Sequence, residues 1–334
     1  MMKLKDPKLL VQAAPFLQQG LTTPKAMLDV IYALIPITLA SIWFFGLSVL
    51  LVLMASIAGA LFTEWLFSPK NSLLDGSAVL TGLLLGLTLP PSLPLWMAFV
   101  GSVVGIGLGK TMWGGLGNNL FNPALLGRAF LLASFPNAMT TWAPQPDGLF
   151  HVYSSNFAWP FMQAPVDAIT TATPLGLMKF QQENTPLLDL MFGSTTGSFG
   201  ETCGLLILLG GIYLILRRSI DWRIPVAILA AVIVFTSLLF IVDSTHYPDP
   251  LFAVFSGGLL LGTFFMATDP VTSPLTPKGA WIFGIGIGII VVLIRVFGGF
   301  PEGVMYAILL MNATVPLIER YTQPRAFGHG GTAK

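Results

Sequence analysis

"SAVLTGLLLGLTLPPSLP" (residues 77–94) and "FSGGLLLGTFFMATDPVTSPLTP" (255–277) share the string GLLLG, at 82–86 and 258–262, and each copy runs into a proline-rich exit. Proline removes a backbone donor and clashes with the preceding turn, so an apolar helix halted this way ends inside the medium it has entered. A second echo is looser: "WGGLGNNLFNPALLG" (113–127) resembles "FGGFPEGVMYAILLMNATVP" (297–316) in its leading glycines and its later Asn-Pro-Ala or Asn-Ala-Thr. Two echoes in the same order argue for an internal duplication. The competing reading of GLLLG alone is a common helix-packing string, because small residues let helices approach closely.

The surroundings support membrane helices. Of 334 residues, 54% are hydrophobic and 9% are charged, against about 25% charged in a soluble domain. Runs long enough to cross a bilayer, about 17–25 residues, fall at about 27–46, 48–67, 76–92, 94–112, 119–135, 201–217, 223–242, 251–268, 279–297 and 302–319. The echoes then sit in spans three and five and in spans eight and ten. An odd number of spans per repeat makes the two halves face opposite ways, so broken helices from each half meet at a central site. The expected fold is an all-α integral membrane protein with about ten transmembrane helices in two inverted five-helix repeats. Along the chain this means a cytoplasmic amphipathic segment at 1–26, a first repeat at 27–135, an extracytoplasmic loop at 136–200, a second repeat at 201–320 and a cytoplasmic tail at 321–334.

Charge placement tests the count. With the N-terminus in the cytoplasm, all of the 16 lysines and arginines except Arg128, Lys179 and Arg295 fall at cytoplasmic ends, as the positive-inside bias requires. The net charge of +1 offers nothing to nucleic acid. Cys203 is the single cysteine, so no internal disulfide, CxxC or Cys/His metal set exists. The stretch "PKLLVQAAPFLQQGLTTPKAM" (7–27) lacks the apolar core of a cleavable signal and suits a broken amphipathic helix on the membrane surface.

The exported loop contains "VDAITTATPLGLMKF" (166–180), a hydroxyl cluster in an otherwise apolar chain. Thr173 before Pro174 is a helix start: threonine as N-cap, proline at the first helical position. The functional reading is a hydroxyl esterified by a phosphate-bearing group, and both hold together because a cap exposes N–H groups that favour phosphate. Arg128 lies inside span five, where a charge marks function by default unless it snorkels to the surface; an outer-face arginine suits phosphate. Arg295 invites the same argument more weakly. Asn118, Asn119 and Asn122 either cap a helix and satisfy a break at Gly117 or hydrogen-bond a heteroaromatic ring. Asp269 caps a turn before Pro270 or binds a cation. Glu64, Asp75 and Glu201 are acids near membrane boundaries that spacing alone does not rank, and His151 and His246 suit ordinary loop histidines.

These stretches carry a resemblance. "DAITTATPLG" resembles the flavinylation motif Asp-Gly/Ala-x-Ser/Thr-Gly-Ala-Thr, and "NNLFNPALLGRAF" and "FMATDPVTSP" resemble two further signatures of the same proteins. Over nearly its whole length the chain resembles the D subunits of the Rnf (Rsx) electron-transport complexes and is similar to the B subunits of sodium-pumping NADH:quinone reductases. The resemblance implies covalent FMN on Thr173 through a phosphodiester, installed by an extracytoplasmic flavin transferase, with Asp167, Thr170 and Thr171 in the motif. Thr171 stands where the family usually has glycine, which makes Thr170 or Thr171 a conceivable acceptor. The relative's non-covalent riboflavin site carries over to Asn119 and Asn122. The implied role is an electron-transfer subunit of a membrane oxidoreductase complex in the bacterial cytoplasmic membrane, relaying electrons among its partner subunits while the complex moves Na⁺ or H⁺. A solute channel or secondary transporter is the reading from another class, since inverted repeats suit it equally. A purely structural scaffold leaves Arg128 and the loop motif without a role.

Overall fold

The computed structural model describes residues 22–146, 148–160, 172–244 and 247–324. These residues form helices and no strand. The first half runs α1 (Thr23–Phe45), α2 (Leu47–Phe67), α3 (Ser77–Leu87), α4 (Leu95–Gly109) and α5 (Pro123–Ser134). The second half runs α6 (Gly204–Leu216), α7 (Arg223–Val242), a broken α8 in the pieces Pro250–Phe255 and Leu259–Leu261 continued by a wide turn over Gly262–Met266, α9 (Pro277–Phe297) and α10 (Val304–Thr322).

Among the described residues, ten apolar segments lie where expected, and they differ in helix length. By length and composition, five helices among the described residues are long and apolar enough to cross a membrane: α1, α2, α4 with its extension to Trp113, α7 and α9. By contrast α3 has 11 residues, which at 1.5 Å per residue gives about 16 Å, roughly half of a bilayer core. Helices α5 and α6 are similarly short, at 12 and 13 residues. A half-helix is tolerable in an apolar medium only where its ends are buried in protein. That condition is met, since every residue over 80–94 and over 258–268 is buried. The two GLLLG strings are thus the inner walls of the molecule, and they meet at Gly200, where an added Cβ would lie 2.9 Å from Leu261 and 3.1 Å from Leu87.

The outer surface has the opposite character. Leu39, Trp43, Val234 and Ile241 on α1 and α7 are 61%, 69%, 60% and 79% exposed, and apolar surface of this extent belongs against lipid or partner helices. Small residues set the close packing inside. Ser56 on α2 donates to Gly82 O at 2.7 Å and lies 2.7 Å from Ser102 Oγ, joining α2, α3 and α4. Gly59 faces α4 so closely that a Cβ would stand 2.4 Å from Phe99 O. Gly59→Ala is therefore expected to push α2 from α4 at about 1–3 kcal/mol, read as a lower thermal midpoint in detergent. In the second half α9 approaches α7 in the same way, through Gly284 against Ala227 and Gly288 against Ala231.

The chain ends sort by charge. The 136–200 loop covers the α1–α2 turn, where Tyr153 N donates to Ser48 Oγ at 3.0 Å. At the opposite end Arg217 and Ser219 hold buried Asp29 at 3.1 and 3.0 Å, tying α6 to the start of α1.

Candidate functional site

Local chemistry sets three helix starts in the same way. Asn122 Oδ1 accepts from Ala124 N and Leu125 N at 3.0 and 3.3 Å, Thr276 Oγ1 accepts from Gly279 N at 3.1 Å, and Thr173 Oγ1 accepts from Gly176 N at 3.2 Å. Each precedes a proline whose missing N–H costs nothing at that position. Among the described residues the Thr173 hydroxyl has no acceptor for its proton, and a second lone pair remains to it. A second tie, Thr196 Oγ1 to Ala172 O at 2.9 Å, fixes the stretch of chain leading into Thr173.

Thr173 lines a cavity of about 460 Å³ with Arg128, Trp142, Phe180, Glu201, Phe300 and Glu302 among its walls. Arg128 comes from the middle of α5 and is not snorkelling: its side chain is 11% exposed. Its Nη2 donates to Glu302 Oε2 at 2.6 Å, and its Nη1 lies 3.7 Å from Glu201 Oε1. Glu302 Oε1 in turn accepts from Gly258 N at 2.7 Å. The first glycine of the second GLLLG thus holds a carboxylate, and a side chain there would displace two, since a Cβ would stand 3.0 Å from Glu201 Oε1 and 3.1 Å from Glu302 Oε1.

Of the three cations that broke the charge asymmetry, Arg128 lines this cavity, and Lys179 and Arg295 line a second one of about 300 Å³ that shares Leu175 and Pro301 with it. Arg295 donates to Ala253 O and Ser256 O at 2.6 and 2.9 Å, closing the end of the first α8 piece. Lys179, shortly beyond Thr173, donates to Arg295 O at 2.9 Å, Phe300 O at 3.0 Å and Gly298 O, so an ammonium caps the end of α9. Burial pulls the Lys179 ammonium below its ordinary pKa. Each of the three is engaged by protein acceptors rather than standing free as the topological rule assumes.

The amide cluster occupies another place. Asn119 Oδ1 accepts from Gly117 N at 3.3 Å and so satisfies the break there. Asn122 Nδ2 donates to Met266 O at 3.2 Å, reaching the wide turn that follows the second GLLLG. Asn312 of α10, the counterpart in the second echo, lies 3.2 Å from both Asn122 N and Thr272 O, so its amide oriented with the oxygen to Asn122 N and the nitrogen to Thr272 O satisfies both. Asn119 and Asn122 line a cavity of about 70 Å³ with Lys110, Phe264, Phe265 and Asp269, well below the 300–1,000 Å³ of ordinary small-molecule sites. Asp269 caps a turn, accepting from Val271 N at 3.2 Å and Thr272 Oγ1 at 3.3 Å.

Asp167, Thr170, Thr171 and His246 lie outside the described residues. Among the rest, Thr173 and Arg128 share one cavity, and Asn119 and Asn122 share the other. Sequence reading missed Glu302 and did not rank Glu201. Charge balance was the available signal, because a cation inside an apolar segment requires an acid inside another. It also placed Lys110 as a boundary charge, whereas the side chain is 2% exposed and lies 2.6 Å from Glu64, itself fully buried.

Short apolar helices, walls of GLLLG and a charged, aromatic-lined cavity beside a capped threonine define an all-α membrane protein with a cavity between its helices. The chain belongs to the NQR2, RnfD, RnfE family, which it matches over residues 10–328. It is 41% identical, over 332 residues covering 95% of this chain and 96% of the relative, to the D subunit of the proton-translocating ferredoxin:NAD(+) oxidoreductase complex of Clostridium ljungdahlii. It is 42% identical to the D subunit of the ion-translocating oxidoreductase complex of Stutzerimonas stutzeri, covering 93% of each chain, and 38% identical to that of Pectobacterium carotovorum subsp. carotovorum, covering 96% and 98%.

Proposed function

We propose that this chain is the membrane subunit of an ion-translocating oxidoreductase complex of the bacterial cytoplasmic membrane, carrying FMN esterified to Thr173 and relaying electrons among partner subunits while the complex moves Na⁺ or H⁺. The observation that carries it is the position of Thr173: a capped hydroxyl whose proton has no acceptor among the described residues, on the wall of a cavity of about 460 Å³, inside the range of cofactor sites. The residues present fit the group. Trp142, Phe180 and Phe300 offer aromatic walls, Thr195 and Thr196 offer hydroxyls, and Arg128 offers a cation already braced by carboxylates. When bound, FMN supplies one-electron redox chemistry, while the chain fixes the attachment point and excludes water.

The charge segregation supports a loop on the outer face and both termini in the cytoplasm, where an extracytoplasmic flavin transferase meets the loop during maturation. A non-covalent riboflavin at Asn119 and Asn122 requires that smaller cavity to open.

Denaturing gel electrophoresis under ultraviolet light tests the reading. The chain co-expressed with its transferase is expected to fluoresce, Thr173→Ala to lose the band completely, and Thr170→Ala and Thr171→Ala to keep it. A dark wild-type band leaves the channel reading in possession, and a fluorescent Thr173→Ala band moves the acceptor to another residue.

A further inference from the structure

Two carboxylates share one guanidinium at the wall of the Thr173 cavity, and their surroundings are unequal. Glu302 is satisfied as an anion: Arg128 Nη2 holds one oxygen at 2.6 Å and Gly258 N the other at 2.7 Å. Glu201 is 8% exposed, its Oε1 stands 3.7 Å from Arg128 Nη1, and that oxygen has no hydrogen-bond partner. At 3.7 Å the contact is too long to be a hydrogen bond. The other charged groups facing the pair are engaged elsewhere, Arg295 of α9 on Ala253 O and Ser256 O, and Lys179 on three carbonyls at the end of α9. Tyr306 of α10 lines the small adjoining cavity of about 40 Å³. A buried carboxylate oxygen without a hydrogen-bond partner is costly and is neutralised most simply by a proton. A metal ion fits less well, because it would sit beside the Arg128 charge, and no group of three or more His, Cys, Asp or Glu side chains suited to a metal occurs among the described residues.

We infer that Glu201 and Glu302 together hold one exchangeable proton facing the Thr173 cavity, carried on Glu201, with Glu302 and Arg128 as the fixed ion pair that positions it. Its use rests on the reading above. A flavin held on Thr173 would gain one negative charge with each electron the complex delivers, and Glu201 would be the group placed to give it a proton, its O–H bond breaking and a proton from the aqueous phase on the loop side restoring it, with Arg128 and Glu302 holding it in place. Glu201 is thus the proton-bearing group and Arg128 a positioning residue.

Infrared difference spectroscopy on the purified complex tests this, with pH steps as one trigger and electrochemical reduction as the other. The wild type is expected to show a protonated-carboxyl C=O band that titrates and shifts to lower frequency in D₂O. Glu201→Gln, which has nearly the shape of the protonated acid, is expected to lose that band while assembling normally. Glu302→Gln is expected to weaken assembly, since it leaves Arg128 without its anion. Thr173→Ala is expected to keep the pH-triggered band and lose the reduction-triggered one. If flavin sits elsewhere, the pH-triggered band survives unchanged, so the two ideas fail separately. A wild type without a titrating band, a band that persists in Glu201→Gln, or a band that moves with added NaCl at constant pH and ionic strength overturns the inference.

Discussion

Lys110→Met is expected to lower stability by about 3–5 kcal/mol, the cost of removing one partner of a buried ion pair. Lys110 sits at the end of α4 and reaches Glu64 of α2 at 2.6 Å, with side chains 2% and 0% exposed. It also donates to Ser77 Oγ, and Asp75 stands 3.9 Å away. Ser77 N donates to Asp75 at 2.8 Å, so one ammonium locks the entry to α3, the helix of the first GLLLG, against α2 and α4. Without it Glu64 is a dry carboxylate with one oxygen, Oε2, already lacking a partner. Adding Glu64→Leu to Lys110→Met is expected to recover most of the loss, because apolar replacement of a whole buried pair is often neutral or better. Thermal midpoints of both variants in one detergent decide it. A double variant as unstable as the single one would mean that the lysine acts through Ser77 and Asp75 rather than through Glu64.

Arg128→Met is expected to cost a similar amount, about 3–5 kcal/mol, and to abolish assembly of the loop end. It strands Glu302 and Glu201 beside each other, with Gly258 N as the remaining hydrogen-bond donor to Glu302. Arg128→Lys is expected to restore only part, since a single ammonium cannot divide itself between two carboxylates as a planar fork does. The measurement is a double-mutant cycle with Glu302→Gln, followed by chemical denaturation. A coupling energy near zero would show that Arg128 and Glu302 are neighbours without being partners.

These two sites are where sequence reading was least effective, and the reason is distance along the chain. Arg128 and Glu302 are 174 residues apart, and Lys110 and Glu64 are 46 apart, so no periodicity or spacing rule joins them. Arg128 announced itself by being a charge in an apolar run, but its partner stood at a segment boundary where acids are ordinary. Lys110 was hidden by the topological rule, which counts cations near span ends without asking whether they meet water. The apolar segments themselves were legible, as were the caps at Thr173 and Asn122, because each depends on residues within one turn. Helix length was less legible: α3, α5 and α6 are shorter than their apolar runs, α3 ending before "TLPPSLP", α5 before Pro136 and α6 at Arg217.

The GLLLG pair shows how the two kinds of information divide. Composition and echo by themselves determined an apolar all-α chain and the proline-rich exit after each GLLLG, because hydrophobicity and proline sterics act locally. They could not distinguish the two copies. Only the tertiary structure made Gly82 a packing glycine, its would-be Cβ 2.6 Å from Ile57 Cα, and Gly258 the donor under Glu302. Identical strings acquire different chemistry because a glycine's role is set by the atom that comes closest to its missing side chain, and that atom belongs to a distant part of the fold.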